Sequence, residues 1–379
     1  MTSTPNRLSV VVIGAGQAGL AVSFYLKRLG LEPGSDFVIL DRGPGTGGAW
    51  QHRWEALRIG SAHRINDLPG MDDLGISFAD ADRQLAAKDV VADYYAQYEA
   101  HYNLRVLRPV DARSVFNRGA ELVVGAVAAL ASGIAPAGAA QDESGVHVEF
   151  LTDVVVNATG TWGSPFIPWY PGLNEFAGEH IHTTGYQAAS DFEGKSVVVV
   201  GGGTSAAGFI LELEGVAAEL AWVSRRPIEF TDYADLNVDA AIAAVAQQDE
   251  AARAGRALPS MVSGTGIPRS RRVQAGIDRG ILSARPMFSS LEPDGVRFPD
   301  GTFQKADIIV WSTGFRPELR HLAPLKLREK EGGITVGAGA AWKDGRIFFA
   351  GYGPAASTIG ANRAGRQIAR QVVALLSNL

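Results

Sequence analysis

Two short runs, 9–13 (SVVVI) and 196–200 (SVVVV), each a serine followed by four apolar residues, interrupt the mixed polar pattern around them. Both are rich in β-branched residues and free of charge, the pattern of a strand buried on both faces of a parallel sheet. Each runs directly into glycines and then into a stretch with helical spacing, 20–29 after the first and 207–213 after the second. Further apolar runs predict strands at 37–40, 154–160 (VVVNATG), 220–223, 308–315 (IIVWSTGF) and 346–351 (RIFFAG). An Ala-rich charged stretch at 232–256 and an amphipathic stretch from 359 onward predict helices. Strands alternating with helices place the chain in the α/β class with parallel sheets.

The glycines carry chemistry. The first strand enters Gly14-Ala15-Gly16-Gln17-Ala18-Gly19 and then the helix, the context that gives Gly-x-Gly-x-x-Gly its meaning. In that arrangement Gly14 makes the tight turn, Gly16 admits a pyrophosphate to the backbone, and Gly19 lets helix and strand pack closely. The helix N-terminus, through Gln17 and Ala18, then offers free N–H groups to phosphate. The second strand ends in Asp41, where a carboxylate accepts from ribose hydroxyls, followed by Arg42. The bland alternative is a glycine-rich turn in an empty α/β domain.

The pattern recurs. Strand 196–200 enters Gly201-Gly202-Gly203-Thr204-Ser205-Ala206, with Gly201 and Gly203 in the first two glycine roles and Ala206 in the third. The following strand ends in Ser224-Arg225-Arg226 and not in an acid. Arginine there pairs with a 2′-phosphate and selects NADP over NAD, unless both side chains are merely solvated. Two units in one chain imply two nucleotides, one donating hydride and one accepting it, as in flavin reductases. The strands ending in Thr159-Gly160 and Thr313-Gly314 are the expected crossings between domains, and Gly351 closes a last strand before the final helix.

Composition narrows the choice. The chain holds 45 glycines in 379 residues, about 12% against an average of about 7%. There is no cysteine, which removes disulfide scaffolds, thiolate metal sites, cysteine nucleophiles and dithiol redox centres, and no metal site is expected. A formal net charge of −5 argues against a nucleic-acid partner. The weakly hydrophobic stretch 122–140 is broken by glycines and proline, so no membrane partner is expected. The first eight residues lack a basic flank and an apolar run, so the expected location is cytoplasmic. Pattern alone does not set the oligomeric state and leaves a homodimer open.

The segment from Phe176 through Gly178 and His182 to Tyr186 follows F-x-G-x-x-x-H-x-x-x-Y between the two nucleotide motifs. With it, the chain resembles the flavin-dependent (class B) monooxygenases, and Tyr186 resembles the flavin-containing monooxygenase version. Gly47-Gly48-Ala49-Trp50 is similar to the family's segment after the flavin ribose acid, continuing through Trp54, Leu57 and Arg58 to Leu68-Pro69-Gly70. Asp41 departs from the family's usual Glu by one methylene. The family's Asn over the flavin falls within 59–66, where Asn66 is the candidate and Ser61 or His63 are alternatives. The Ala/Gly-rich 125–140 departs from a short hairpin, and a loop or swollen hairpin is expected.

The resemblance implies two Rossmann-like dinucleotide-binding domains, with the FAD domain split by an inserted NADP domain. The implied segments are 1–165 for the first FAD part, 166–189 for the linker, 190–315 for the NADP domain and 316–379 for the second FAD part. It implies NADPH- and FAD-dependent oxygenation of a small soft nucleophile, at N or S, through a flavin hydroperoxide, with dioxygen as co-substrate. His182 and Tyr186 then organise the linker and bound NADP, with His182 functional but not an acid–base catalyst. Trp50, Trp54 and Arg58 either pack on the flavin or substrate or are plain core. Asn362 and Arg363 at the last helix reach the flavin or form a solvated helix end. The stretch from 232 to 272 is expected to hold the mobile parts. Two alternatives remain open: a flavoprotein reductase serving a protein carrier, and a nucleotide-binding protein whose oxygen chemistry has decayed.

Overall fold

A computed structural model describes residues 6–62, 65–129, 141–142, 145–232, 238–259, 266–356 and 358–378. The chain divides into two compact units. One comprises Met1–Gly160, Gln248–Leu258 and Pro317–Leu379; the other comprises Thr161–Gln247 and Pro259–Arg316. The 166–189 segment therefore lies within the second unit. The short piece 248–258 returns to the first, because Ala252 packs in its core with Leu319 and Leu322 and Arg256 bridges to Gly332. His63, part of the Ala/Gly-rich stretch (130–140) and parts of the 232–272 stretch (233–237 and 260–265) lie outside the described residues.

The first unit is built on strand Asn6–Ile13, flanked in parallel by Phe37–Leu40 on one side and Gly145–Asn157 on the other. Strand Ile347–Phe349 extends the parallel sheet beyond Gly145–Asn157, and Val106–Leu107 extends it beyond Phe37–Leu40. The antiparallel hairpin Val110–Arg118 with Glu121–Ala128 pairs onto the first half of the long Gly145–Asn157 strand. Alternation explains why these strands read as unbroken apolar runs. Val10 and Val12 face one core with Leu20, Phe24 and Ile39, while Val11 and Ile13 face another with Leu40, Val124 and Val155. Both faces are covered, so the central positions of these strands are apolar on both. Helix Gln17–Arg28 follows the first strand, and the last helix, Thr358–Leu376, packs against it.

The second unit repeats the plan with five parallel strands in the order Arg285–Pro286, Glu219–Ser224, Ser196–Val200, Ile308–Trp311 and Glu179–His182. Helix Thr204–Leu213 follows the central strand. A three-stranded antiparallel sheet, Ser290–Glu292, Gly295–Arg297 and Phe303–Lys305, precedes Ile308–Trp311. In both units the chain leaves the central strand to one side and later returns on the other. Such reversals leave a crevice at the carboxyl ends of the strands, where ligands bind.

Candidate active site

The two cradles are built alike. Gly14 has φ +108°, and a Cβ there would overlap the carbonyl of Ala158, with its carbon at 2.8 Å. Gly201 has φ +142°, and a Cβ there would overlap the carbonyl of Ser312, with its carbon at 2.9 Å. Ala158 and Ser312 hold equivalent places, each immediately before a Thr-Gly pair. The recurrence of that pair thus has a packing reason: the first glycine of each motif rests on the residue preceding it. Gly19 lies against the Gly14 carbonyl, while the corresponding Ala206 is fully buried. Gly203 caps helix Thr204–Leu213, opening with Thr204 and Ser205, as Gly16 caps Gln17–Arg28. A Cβ on Gly16 would meet only the Gly48 Cα, at 3.9 Å, so the second glycine keeps space open above the loop. That space and the helix start fit a dinucleotide pyrophosphate.

In the first unit, Gln17 ties the helix start to three other segments. Tyr95 donates its hydroxyl hydrogen to Gln17 Oε1 at 2.6 Å. Gln17 Nε2 donates to Asn362 Oδ1 at 2.9 Å and to the Asn66 carbonyl at 3.2 Å. Asn362 Nδ2 in turn donates to the Asp67 carbonyl at 2.6 Å. Thus Gln17, Asn66 and Asn362 come together, the last being 345 residues from the first. Ser61 turns back on Arg58, its hydroxyl donating to that carbonyl at 3.1 Å. Arg363 and Arg58 are exposed. Trp50 and Trp54 are buried, and the Arg53 guanidinium sits 5.5 Å from the Trp50 ring centre. Burial pushes Arg53 down to about 10. Gly351, at φ +77°, brings its turn beside Ala18.

Asp41 is buried and bonded, Oδ1 accepting the Gly43 N–H at 3.2 Å and Oδ2 accepting Arg108 Nη2 at 3.1 Å. Arg42 is exposed and 4.0 Å from Glu318. Thr159 donates its hydroxyl hydrogen to the Glu318 carbonyl at 2.7 Å, and the Glu318 N–H reaches the Gly160 carbonyl at 3.0 Å. Asn157 Oδ1 accepts from Thr159 at 3.2 Å and contacts His321 Nε2 at 2.7 Å. Tyr95, Arg108 and His321 belong to no sequence motif, and Asn157 stands in the 154–160 run with nothing local to mark its role. Each meets its partner across the fold or beside a motif glycine, and no local spacing marks them.

Burial pushes His321 down to about 4, from an ordinary value of about 6.5. The unfolded chain then binds more protons than the folded one between those values, so stability rises with pH across that window. His321 contributes fully above pH 6.5 and loses its contribution as pH falls toward 4, on the order of 3 kcal/mol in all. Urea unfolding at pH 7 and pH 5 should differ by about 2 kcal/mol from this group. His321→Gln should flatten that part of the profile; an unchanged slope would refute the assignment.

In the second unit, His182 ends its strand beside Trp311. Thr184 N–H reaches its Nδ1 at 3.4 Å, so Nε2–H is left to donate to the Gly314 carbonyl at 3.0 Å. Its ring meets Phe315 edge-on at 4.9 Å, and Phe315 stacks on Trp162 at 5.2 Å. Burial lowers the His182 pKa, only partly offset by the Gly314 carbonyl, and so favours the neutral imidazole. Thr313 donates its hydroxyl hydrogen to the Phe166 carbonyl, and Phe166 N–H reaches the Gly314 carbonyl at 3.0 Å. Tyr186 is buried between Phe192 and Phe209 and donates to Glu212 Oε2 at 3.0 Å. Burial, with Glu212 beside it, pushes the Tyr186 phenol well up, so it stays protonated. Ser224 is buried and accepts the Arg226 N–H at 3.4 Å, while the Arg225 and Arg226 side chains are exposed.

Among the described residues, no group of three or more His, Cys, Asp or Glu side chains could hold a metal. No helix among them is long and apolar enough to cross a membrane. Residues 8–252 match the family described as pyridine nucleotide-disulphide oxidoreductase. The flavin-containing monooxygenase structure from Stenotrophomonas maltophilia is 31% identical, with a TM-score of 0.76, covering 98% of this chain and 99% of that one. The uncharacterized oxidoreductase CzcO of Bacillus velezensis is 26% identical over 223 residues, 58% of this chain and 56% of that protein. The indole-3-pyruvate monooxygenase YUCCA4 of Oryza sativa subsp. japonica is 25% identical over 350 residues, 85% of this chain and 76% of that protein. The cofactors are FAD and NADP. Two glycine cradles of the same construction, and similarity along nearly the whole length of a solved relative, lead to one assignment: the chain belongs to the pyridine nucleotide-disulphide oxidoreductase family and to its flavin-containing monooxygenases.

Proposed function

We propose that this flavin monooxygenase holds FAD in the first cradle and NADP in the second, and oxygenates a small organic substrate at a soft nucleophilic nitrogen or sulfur. The paired cradles carry the reading, since in each a glycine whose Cβ would overlap the carbonyl before a Thr-Gly pair is followed by a glycine that caps a helix. When bound, the flavin supplies acceptance of hydride from NADPH and activation of dioxygen.

The chain's own residues bind and orient. Gly14, Gly16 and Gly19 leave the loop open to the flavin pyrophosphate, and the N–H groups at Gln17 and Ala18 face its charge. Asp41 takes the ribose, and Gly48 presses its backbone toward Gly16, where its own Cβ would stand 2.7 Å from the Gly16 Cα. Gln17 and Asn362 hold the 66–67 backbone in place through its two carbonyls, and Asn66 is the residue this reading sets over the flavin. Buried Trp50 and Trp54 exclude water beside the cradle. On the nicotinamide side, Gly201, Gly203 and Ala206 repeat the cradle, and Arg225 and Arg226 pair with the 2′-phosphate. Neutral His182 donates to Gly314 and so keeps the 313–314 backbone in one position. It moves no proton, because both ring nitrogens are engaged and its charged form is disfavoured by burial. Tyr186 supports the helix after the second cradle through Glu212.

The test is coupling. Purified protein given NADPH, dioxygen and a panel of thioethers and tertiary amines should form close to one oxygenated product per NADPH consumed with at least one of them. NADPH oxidation ending only in hydrogen peroxide, or only in reduction of a protein carrier, would overturn oxygenation as the activity.

A further inference from the structure

Asp41 is held by a side chain that no nucleotide motif contains. Arg108 reaches Asp41 Oδ2 through Nε at 3.2 Å and Nη2 at 3.1 Å. The same guanidinium forks onto Glu99, with Nη1 to Oε2 at 2.8 Å and Nη2 to Oε1 at 2.9 Å. All three side chains are almost enclosed: Arg108 and Glu99 are 12% exposed and Asp41 is 10%. The backbone of Asp41 is fastened as well, its N–H to the Leu107 carbonyl at 3.0 Å and its carbonyl to Val110 N–H at 2.8 Å. The carboxylate therefore has little freedom to turn.

The hydrogen-bond count limits what it can still accept. An ionised carboxylate takes about four hydrogen bonds. Two are filled by Arg108 and one by the Gly43 N–H. About one position remains, enough for a single hydroxyl. The charges limit the ligand further. Two carboxylates share one guanidinium, so the cluster keeps an excess negative charge, and the neighbouring Arg42, its side chain 45% exposed, lies 4.0 Å from Glu318. A neutral hydroxyl donor is welcome there, whereas a phosphate is repelled.

We propose that Arg108, anchored by Glu99, is a positioning residue that sets Asp41 to accept one ribose hydroxyl of the adenosine half of FAD and to refuse a 2′-phosphorylated nucleotide. This rests on the assignment of the first cradle to FAD. It also explains how the two cradles of one chain keep their nucleotides apart. The first presents a surplus carboxylate at the ribose position, and the second presents Arg225 and Arg226.

The experiment is equilibrium binding to the FAD-stripped full chain, with FAD followed by flavin fluorescence and ADP or FMN by calorimetry. Arg108→Met should weaken FAD and ADP by a common factor of about ten or more, the scale of one charge-assisted contact, and leave FMN unchanged. Asp41→Asn should weaken both similarly. The double variant should be no weaker than either single one, since Arg108 acts only through Asp41. Because Arg108→Met strands two buried carboxylates, Arg108→Lys serves as the second variant. It keeps the charge but not the fork, and should still unfold in one cooperative transition, well above the assay temperature, while weakening ADP several-fold. In an Arg225→Ala/Arg226→Ala background, which removes 2′-phosphate recognition at the second cradle, 2′,5′-ADP should displace FAD from the first cradle less readily than ADP does, and equal displacement would overturn the discrimination. Multiplying effects in the double variant, or an unchanged ADP affinity in Arg108→Lys, would overturn the proposal while leaving the FAD cradle intact. A wild-type chain that binds neither FAD nor ADP would overturn the cradle assignment and this proposal with it.

Discussion

Gly14→Val protein is expected to purify colourless, with FAD content falling from near one per chain to below about a tenth. Two physical effects coincide at this residue. A β-branched side chain is disfavoured at φ +108°, and its Cβ would overlap the Ala158 carbonyl that walls the cradle. Since that overlap also strains the sheet end, Gly16→Val is the companion variant. Its Cβ meets only the Gly48 Cα at 3.9 Å, so the substitution projects into the open space above the loop. It should fold with a near-native melting temperature and still fail to retain flavin. The measurement is the ratio of flavin to protein absorbance, beside circular dichroism. Yellow protein from both variants would show that FAD sits elsewhere.

The second large effect is expected at the other cradle. Replacing Arg225 and Arg226 together by Ala should raise KM for NADPH by about tenfold or more and leave KM for NADH nearly unchanged. Both side chains are exposed at the end of strand Glu219–Ser224, so the contact is partly screened and the penalty should shrink at high salt. The stability cost should be small, because neither side chain is buried. Steady-state kinetics with both nucleotides at two ionic strengths checks this. Equal loss for NADPH and NADH would remove these arginines from 2′-phosphate recognition.

Local order carried much of this protein in plain view. The strands Phe37–Leu40 and Ser196–Val200 stand where their apolar runs place them, because a strand buried on both faces favours β-branched and other apolar residues on both. The two glycine motifs mark their own turns, since only glycine tolerates the backbone angles and close approaches found at Gly14 and Gly201. The helix following each motif starts at Gln17 and Thr204, three residues before the apolar stretches 20–29 and 207–213, because the last residues of each motif already form its first turn. These features depend on neighbours within a few residues, and such neighbours are legible in order along the chain.

What surrounds the motifs was decided elsewhere. Arg108 lies 67 residues from Asp41, Tyr95 lies 78 from Gln17, and His321 lies 164 from Asn157. No periodicity links these pairs; they meet because the sheet and the packed helices bring distant segments to the same strand ends. The return of 248–258 to the first unit is of the same kind, since a helix with an ordinary amphipathic pattern does not declare which core its buried face joins. His182 makes the contrast plain. The fingerprint announced the residue, yet only the folded backbone supplied the Gly314 carbonyl and the Thr184 N–H that engage both ring nitrogens. Sequence alone determined the two nucleotide cradles, because backbone conformation is a local property. Tertiary structure decided the charge and orientation of the groups around them, because burial and hydrogen bonding join residues remote in the chain.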